Sequence, residues 1–396
     1  SPPPPSPPPP PPPPPKWFAS SSEAGATIFS TVTVSDSVGF AVGRSNTFLR
    51  SEDRGVSWAP VAACEGCLRI DWRHVHFHGE QTGWCVGSFG HILHTADGGA
   101  TWTRQTKDLN DNNFVLHGVA AISSTKAIAV GTGNRVFITE DAGSVWLPKS
   151  TGFGGMDLRS VFFVSETQGW VVGKSNGGSS LGAVLHTSDG GRSWNRQTYS
   201  PAVGMRKVAF SGPLRGIAVG EEGVILHTRN GGQSWRASNP KCTLGTLHDV
   251  LIDESSLHVF AVADNGVLCR SEDDVTWAPS KISVQTMYSL SEWGASSSLV
   301  GSTDEPCWQY GIIAAGEFGS FLNFRCHPMS PPPPSPPFPP PQPPSPPSPP
   351  PIPSPPPSPT SPSPPPLPPP LPRPPPPSPP QPGPPIPSPP PPPPPS

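Results

Sequence analysis

One polar octet ending in tryptophan recurs through the middle of this chain: SEDRGVSW, TADGGATW, TEDAGSVW, TSDGGRSW and TRNGGQSW, followed by a shortened SEDDVTW. The closing residues are Trp58, Trp102, Trp146, Trp194, Trp235 and Trp277, with gaps of 44, 44, 48, 41 and 42 residues. A repeat of that period makes each unit the same supersecondary element, which buries its apolar face only against its neighbours. The order inside a unit is constant. A short apolar run comes first (RSVFFV, RKVAFS, HDVLID), then one bounded by glycine (GFAVG, GWCVG, AIAVG, GWVVG, GIAVG). A third follows (HILHT, RVFIT, AVLHT, VILHT), then the octet, and a fourth run opens at the tryptophan. Val, Ile, Phe and Thr between glycine turns are strand chemistry. Four short strands per unit predict an all-β fold, a β-propeller.

The octet itself has a local explanation. Its third residue is Asp53, Asp97, Asp141, Asp189 or Asp273, with Asn230 in the fifth unit. Such a side chain accepts hydrogen bonds from the backbone N–H groups of its own turn. The glycine two residues later suits positive φ. The tryptophan is expected to tuck beneath the turn and staple the third strand to the fourth. These octets resemble the Asp-box, or bacterial neuraminidase repeat. The sixth lacks the glycine and is one residue shorter. After Trp277, GIIAAGEFGSFLNF matches GIAVGEEGVILHT as strands two and three of a seventh unit, and KWFAS at Lys16–Ser20 resembles SWRAS. A seven-bladed propeller is therefore predicted, with six or eight blades as the alternatives. Trp17 and Phe18 would form the outer strand of the last blade and remove an exposed edge.

Composition divides the chain into residues 1–15, 16–329 and 330–396. Of 67 prolines, 13 lie in the first segment and 46 in the last, leaving 8 for the propeller. Proline lacks an N–H and fixes φ, so the flanks are expected as polyproline II. The blocks SPPPPSPPPP and SPPPPSPP resemble extensins and the hydroxyproline-rich matrix glycoproteins of plants and green algae. That resemblance implies hydroxylation and arabinose-rich O-glycans at Pro2, Pro3, Pro4, Pro5, Pro331, Pro332, Pro333 and Pro334, with galactose on neighbouring serines. No other cofactor is expected. With Arg373 set aside, 24 basic residues face 28 acidic ones, which argues against nucleic acid as the main partner. No apolar run reaches the roughly 18 residues that a membrane-spanning helix needs. The absence of an initiating Met or signal peptide reads as a processed or partial product.

The propeller also resembles the photosystem II stability/assembly factor-like family, whose units run GWxVG…ILHTxDGGxTW; the likeness covers residues 17–326. It implies a non-enzymatic binding platform in the thylakoid lumen, with an arginine-lined face for a partner protein. Aligning the first strands on Val75, Val119, Val161, Val208 and Val250 puts Arg73, His117, Arg159, Arg206 and His248 in register two residues earlier. Ser30 and Tyr288 take that place in units one and seven. First strands line a propeller's axis, so these side chains could form an anion-attracting ring. The alternative is that each arginine pairs with an acid of a neighbouring blade.

Other chemistry is thinner. RHVHFHGE sets His74, His76 and His78 on one strand face, where alternating His can bind metal. His76, however, aligns with Phe162, a packing position, and no metal is assigned. In an oxidising compartment Cys64–Cys67, Cys242–Cys269 and Cys307–Cys326 would pair, with Cys85 a buried free thiol. CEGC lacks the βαβ context of a redox motif. A sialidase needs an Arg-Ile-Pro motif and a Tyr–Glu pair; LRID at Leu68–Asp71 lacks the proline, and no such pair can be placed. The chain is therefore read as a non-enzyme. The first functional reading is a secreted structural glycoprotein of a cell wall, extracellular matrix or fibre, its partners other matrix glycoproteins or copies of itself joined head to tail. The second is an assembly-factor-like platform in a plastid lumen. A sialidase-like hydrolase ranks last.

Overall fold

The computed structural model describes residues 16–325, apart from 20, 23–24, 65–66, 68, 106–113, 177–180, 239–240, 254–257 and 294–310. The proline-rich flanks, with all eight candidate hydroxyprolines, lie outside the described residues, as do Cys307 and Cys326. The strands form a seven-bladed propeller whose blades are built of antiparallel strands, running outward in chain order except where segments from the start of the chain join blades seven and one. Its seven inner strands are Ile28–Thr33, Trp72–His78, Leu116–Ala121, Met156–Phe163, Met205–Ser211, Leu247–Ile252 and Met287–Trp293. Each touches the next around the axis, and the last touches the first.

The glycine-bounded runs become the second strands. Gly39–Gly43, Ala127–Gly131 and Val259–Ala263 are buried at every residue. Both of their faces are covered by neighbouring blades, which is why they read as continuous small and β-branched runs rather than as alternating ones. Closure occurs at the segment that opens the propeller. Lys16–Ala19 pairs antiparallel with Phe321–Arg325, setting Trp17 opposite Phe324. Ser21–Ser22 then pairs in parallel with Ser57–Trp58 of blade one. One short segment thus completes blade seven and adds to the edge of blade one, so blade seven presents no free outer edge there.

Each boxed turn is a two-residue device. In the second, Asp97 Oδ1 accepts from Thr101 N–H at 2.9 Å and Oδ2 from Thr101 Oγ1 at 2.6 Å. Thr95 Oγ1 donates to Asp97 Oδ1 at 2.7 Å and accepts from Gly99 N–H at 2.9 Å. The pattern recurs around Asp53, Asp189 and Asn230. The first residue of the octet is thus as much a part of the turn as the aspartate. Gly99 has φ 81°, and a Cβ there would lie 2.2 Å from Phe40 of the preceding blade. Left-handed backbone and close approach both require glycine at that point.

The tryptophans correct one expectation. Besides packing on their own blade, as Trp102 does on Phe77, Trp194 on Phe163 and Trp235 on Phe210, they bind each blade to the one before it. Trp58 stacks on Phe321 of blade seven with ring centroids 4.7 Å apart. Trp102 meets Phe40 and Phe48 of blade one edge-on. Trp146 and Trp235 donate their indole N–H to Gln105 and Gln197 of the preceding blades, at 3.1 and 3.0 Å. The reason is geometric: the cleft between twisted blades is apolar, and a ring at the outer strand reaches both of its walls. An aromatic of this size buries roughly 150–250 Å², worth about 4–6 kcal/mol as an upper bound.

Candidate functional site

Every inner strand slips register once near its start. The slips fall between Ile28 and Ser30, Trp72 and His74, Leu116 and Gly118, Leu158 and Ser160, Met205 and Lys207, Leu247 and Asp249, and Met287 and Ser289. The residues left unpaired are Phe29, Arg73, His117, Arg159, Arg206, His248 and Tyr288. A bulge re-aims the side chain it carries, and here it delivers one side chain per blade to the channel mouth. The first blade therefore contributes Phe29 and not Ser30. Ser30 sits one residue deeper, where its Oγ accepts from Val75 N–H at 3.4 Å.

Contacts link these side chains around the rim. The Arg73 guanidinium lies 4.3 Å over the Phe29 ring. Phe29 and Tyr288 meet edge to face at 5.9 Å, and Tyr288 meets His248 at 4.7 Å. Arg159 Nη1 donates to His117 Nε2 at 3.1 Å. Burial, reinforced by Arg159, Arg73 and Arg206, pushes His117 down to about 2, so it is a neutral acceptor. Burial also lowers His248, although Asp264 at 2.7 Å opposes the shift. The positive charge of the ring thus rests on three arginines.

Each arginine already holds a carboxylate. Arg73 pairs with Asp71 at 3.1 Å and Arg159 with Asp157 at 3.3 Å. Glu221 takes Arg206 at 2.9 Å and Lys174 at 3.0 Å. The acids on the arginines come from the same blade, not from a neighbouring one as the structural alternative supposed. Asp71, Asp157, Glu221 and Lys174 went unnoticed in the sequence, although the two Asp-x-Arg spacings were there to be read. The three guanidinium side chains keep 29%, 21% and 29% of their surface exposed, so a ligand can reach them.

One residue further along several of these strands, the side chains sew blade to blade. His74 Nδ1 accepts from Val119 N–H at 3.4 Å, Asp249 Oδ2 from Leu290 N–H at 2.9 Å, and Ser289 Oγ from Thr31 N–H at 2.9 Å. Lys207 reaches across from blade five, its Nζ 3.2 Å from His74 Nε2 and 3.3 Å from Asp249 Oδ1. His76 Nδ1 accepts from Ala121 N–H at 3.2 Å. The three histidines therefore do not converge. His74 and His76 spend a lone pair on the neighbouring blade, while His78 faces solvent at the strand end. Burial, with Lys207 nearby, lowers His74 strongly and His76 to about 4.

Cys64 is bonded to Cys67 and Cys242 to Cys269, with Cα separations of 5.5 and 6.0 Å. Cys85 is buried and free, and burial pushes its thiol well above the ordinary range. Among the described residues no helix is long and apolar enough to cross a membrane.

Residues 16–149 and 156–278 match the family described as photosynthesis system II assembly factor YCF48. The photosystem II assembly lipoprotein Ycf48 of Synechococcus sp. (strain CC9902) is 30% identical over 131 residues. That stretch is 31% of this chain and 37% of the relative, so the chain spans little more than a third of that relative's length. Two solved structures share the fold. One, described as YCF48 bound to D1 peptide, has a TM-score of 0.61 at 21% identity, covering 78% of this chain and 94% of that one. YCF48 from Cyanidioschyzon merolae gives 0.59 at 19%, covering 78% and 98%. These likenesses overturn the first functional reading, that of a secreted structural glycoprotein of cell wall, matrix or fibre. They equally overturn matrix glycoproteins or further copies of this chain as its partners. That reading leaned on the proline blocks, and an extended proline segment follows from composition in any compartment. The family likeness instead runs through the folded propeller.

Proposed function

This chain belongs to the photosynthesis system II assembly factor YCF48 family, and from that premise we propose that it is a non-enzymatic binding platform for a photosystem II subunit. It works on the lumenal side of the thylakoid membrane and holds a carboxylate-bearing segment of that subunit at its channel mouth. The observation that carries this reading is the set of three arginines brought to one rim by β-bulges, each already bonded to a carboxylate. A guanidinium so placed grips a second carboxylate with the same charge-assisted geometry. The incoming group exchanges for Asp71, Asp157 or Glu221 rather than meeting bare cations. Lys207 of blade five spans the axis below to His74 of blade two, which favours a ligand held at the mouth. The two disulfides also suit an oxidising compartment.

The test is titration of the full chain with the D1 peptide by calorimetry. Arg159→Gln with Arg206→Gln is expected to weaken binding by about tenfold or more, the usual scale for central charged anchors. Equal affinity in the double variant would reject the site. A second measurement addresses compartment. Protein isolated from its own cells is expected at the mass of the bare polypeptide, since proline hydroxylation and arabinosylation belong to the secretory route. A ladder of pentose additions on the flanks would reject the lumenal placement.

A further inference from the structure

The channel mouth is chemically lopsided. Blades two, four and five supply Arg73, Arg159, Arg206 and Lys174, and blade three the neutral His117. Blades six, seven and one supply His248, Tyr288 and Phe29, which touch in sequence as an aromatic run. The connections that enter the inner strands follow the same division. Leu244 stands four residues before His248 and is 84% exposed; Val284 stands four before Tyr288 and is 85% exposed. At the same offset the other described connections carry Gly25, Arg69, Gly155 and Ala202. On this side of blade seven, Phe318 is 71% exposed and holds φ at 55°. Phe89 takes the same turn in blade two with φ 58° and is 47% exposed, so the blade-seven ring is the more open of the two. Its neighbour Glu317 bonds Thr286 through both backbone and side chain, which ties Phe318 to the start of the strand bearing Tyr288.

We infer that the segment held at the mouth is amphipathic: its carboxylates meet the arginines of blades two, four and five while its apolar side chains seat on Leu244, Val284 and Phe318 beside the aromatic run. The inference rests on the binding reading above and adds to it the partner's chemistry and direction. Cations alone would accept any acidic chain. A cationic half joined to an apolar half accepts one that carries both features in the right order, and rejects a uniformly acidic chain that leaves the apolar half wet. The aromatic run is continuous with the arginine rim through Arg73, which lies over Phe29, so one extended segment can cover both.

The experiment uses the full chain and two synthetic peptides of equal length and charge, each ending in a free carboxylate. One carries leucine at every third position and the other serine. Wild type is expected to bind the leucine peptide about tenfold more tightly, the scale of a few buried apolar anchors. Leu244→Ser with Val284→Ser and Phe318→Ser should abolish that preference and leave the serine peptide unchanged. Phe89→Ser, an exposed aromatic on blade two, should leave both affinities alone. All four side chains are exposed, so folding, checked by circular dichroism, is expected to persist. Undiminished preference in the triple variant, or an equal loss in Phe89→Ser, overturns the inference. The arginine reading is judged separately: it fails if Arg159→Gln with Arg206→Gln binds both peptides as wild type does.

Discussion

Asp274 stands where five other boxes carry glycine. Its backbone takes the left-handed conformation, φ 68°, and its carboxylate is buried against blade five, 2.6 and 3.0 Å from two Arg215 nitrogens. The shortened box thus exchanges a glycine's close approach for an ion pair between blades, a substitution the motif alone could not explain. Removing one partner of a buried pair strands the other. Asp274→Ala is therefore expected to cost about 3 kcal/mol, read from the urea midpoint at constant m-value. The ordinary box aspartates govern acid stability instead. The hydroxyl and N–H of Thr101 hold Asp97 down to about 2, and the N–H groups of Thr276 and Val275 do the same for Asp273. A carboxylate lowered on folding stabilises fully above its unfolded value near 3.8 and loses that contribution as pH falls to about 2. His76 acts earlier. Its imidazole is neutral in the fold down to about 4 but protonates near 6.5 when unfolded, so its contribution is complete above 6.5 and fades as pH drops toward 4. Denaturation midpoints against pH should show both limbs, with His76→Phe flattening the upper one and Asp97→Asn the lower.

At the scale of strands, two features were unequally visible. Closure of blade seven could be read in advance, because KWFAS repeats the chemistry of SWRAS and a lone edge needs a partner. The bulges could not. A one-residue slip in backbone pairing leaves the hydropathy pattern of an inner strand intact, so the sequence alone puts Ser30 on the rim where Phe29 belongs. Closure makes a direct prediction. Deleting Lys16–Ala19 exposes Phe321–Arg325 as an edge strand and should lower the melting temperature and promote self-association, followed by calorimetry and size-exclusion chromatography. An unchanged, monomeric protein would show that the pairing contributes nothing.

For the whole molecule, charge arrangement matters more than charge total. The chain carries a formal net charge of −3, yet three of its arginines are gathered on one rim with their own acids in attendance. If those acids compete with the ligand, Asp157→Asn with Glu221→Gln should raise peptide affinity by a few-fold, and added salt should weaken binding in both proteins. Lower affinity in the variant would instead make the acids positioning partners for the guanidinium groups. The repeat unit, the seven blades and the closing strand were determined by the sequence alone, because each depends on local patterns that recur along the chain. Which side chain looks into the channel, which acid meets which arginine, and that each box tryptophan grips the blade before its own were decided only in the tertiary structure. Those outcomes depend on register and on blades meeting across the axis, and a one-residue slip or a neighbour more than forty residues away leaves no trace in a local pattern.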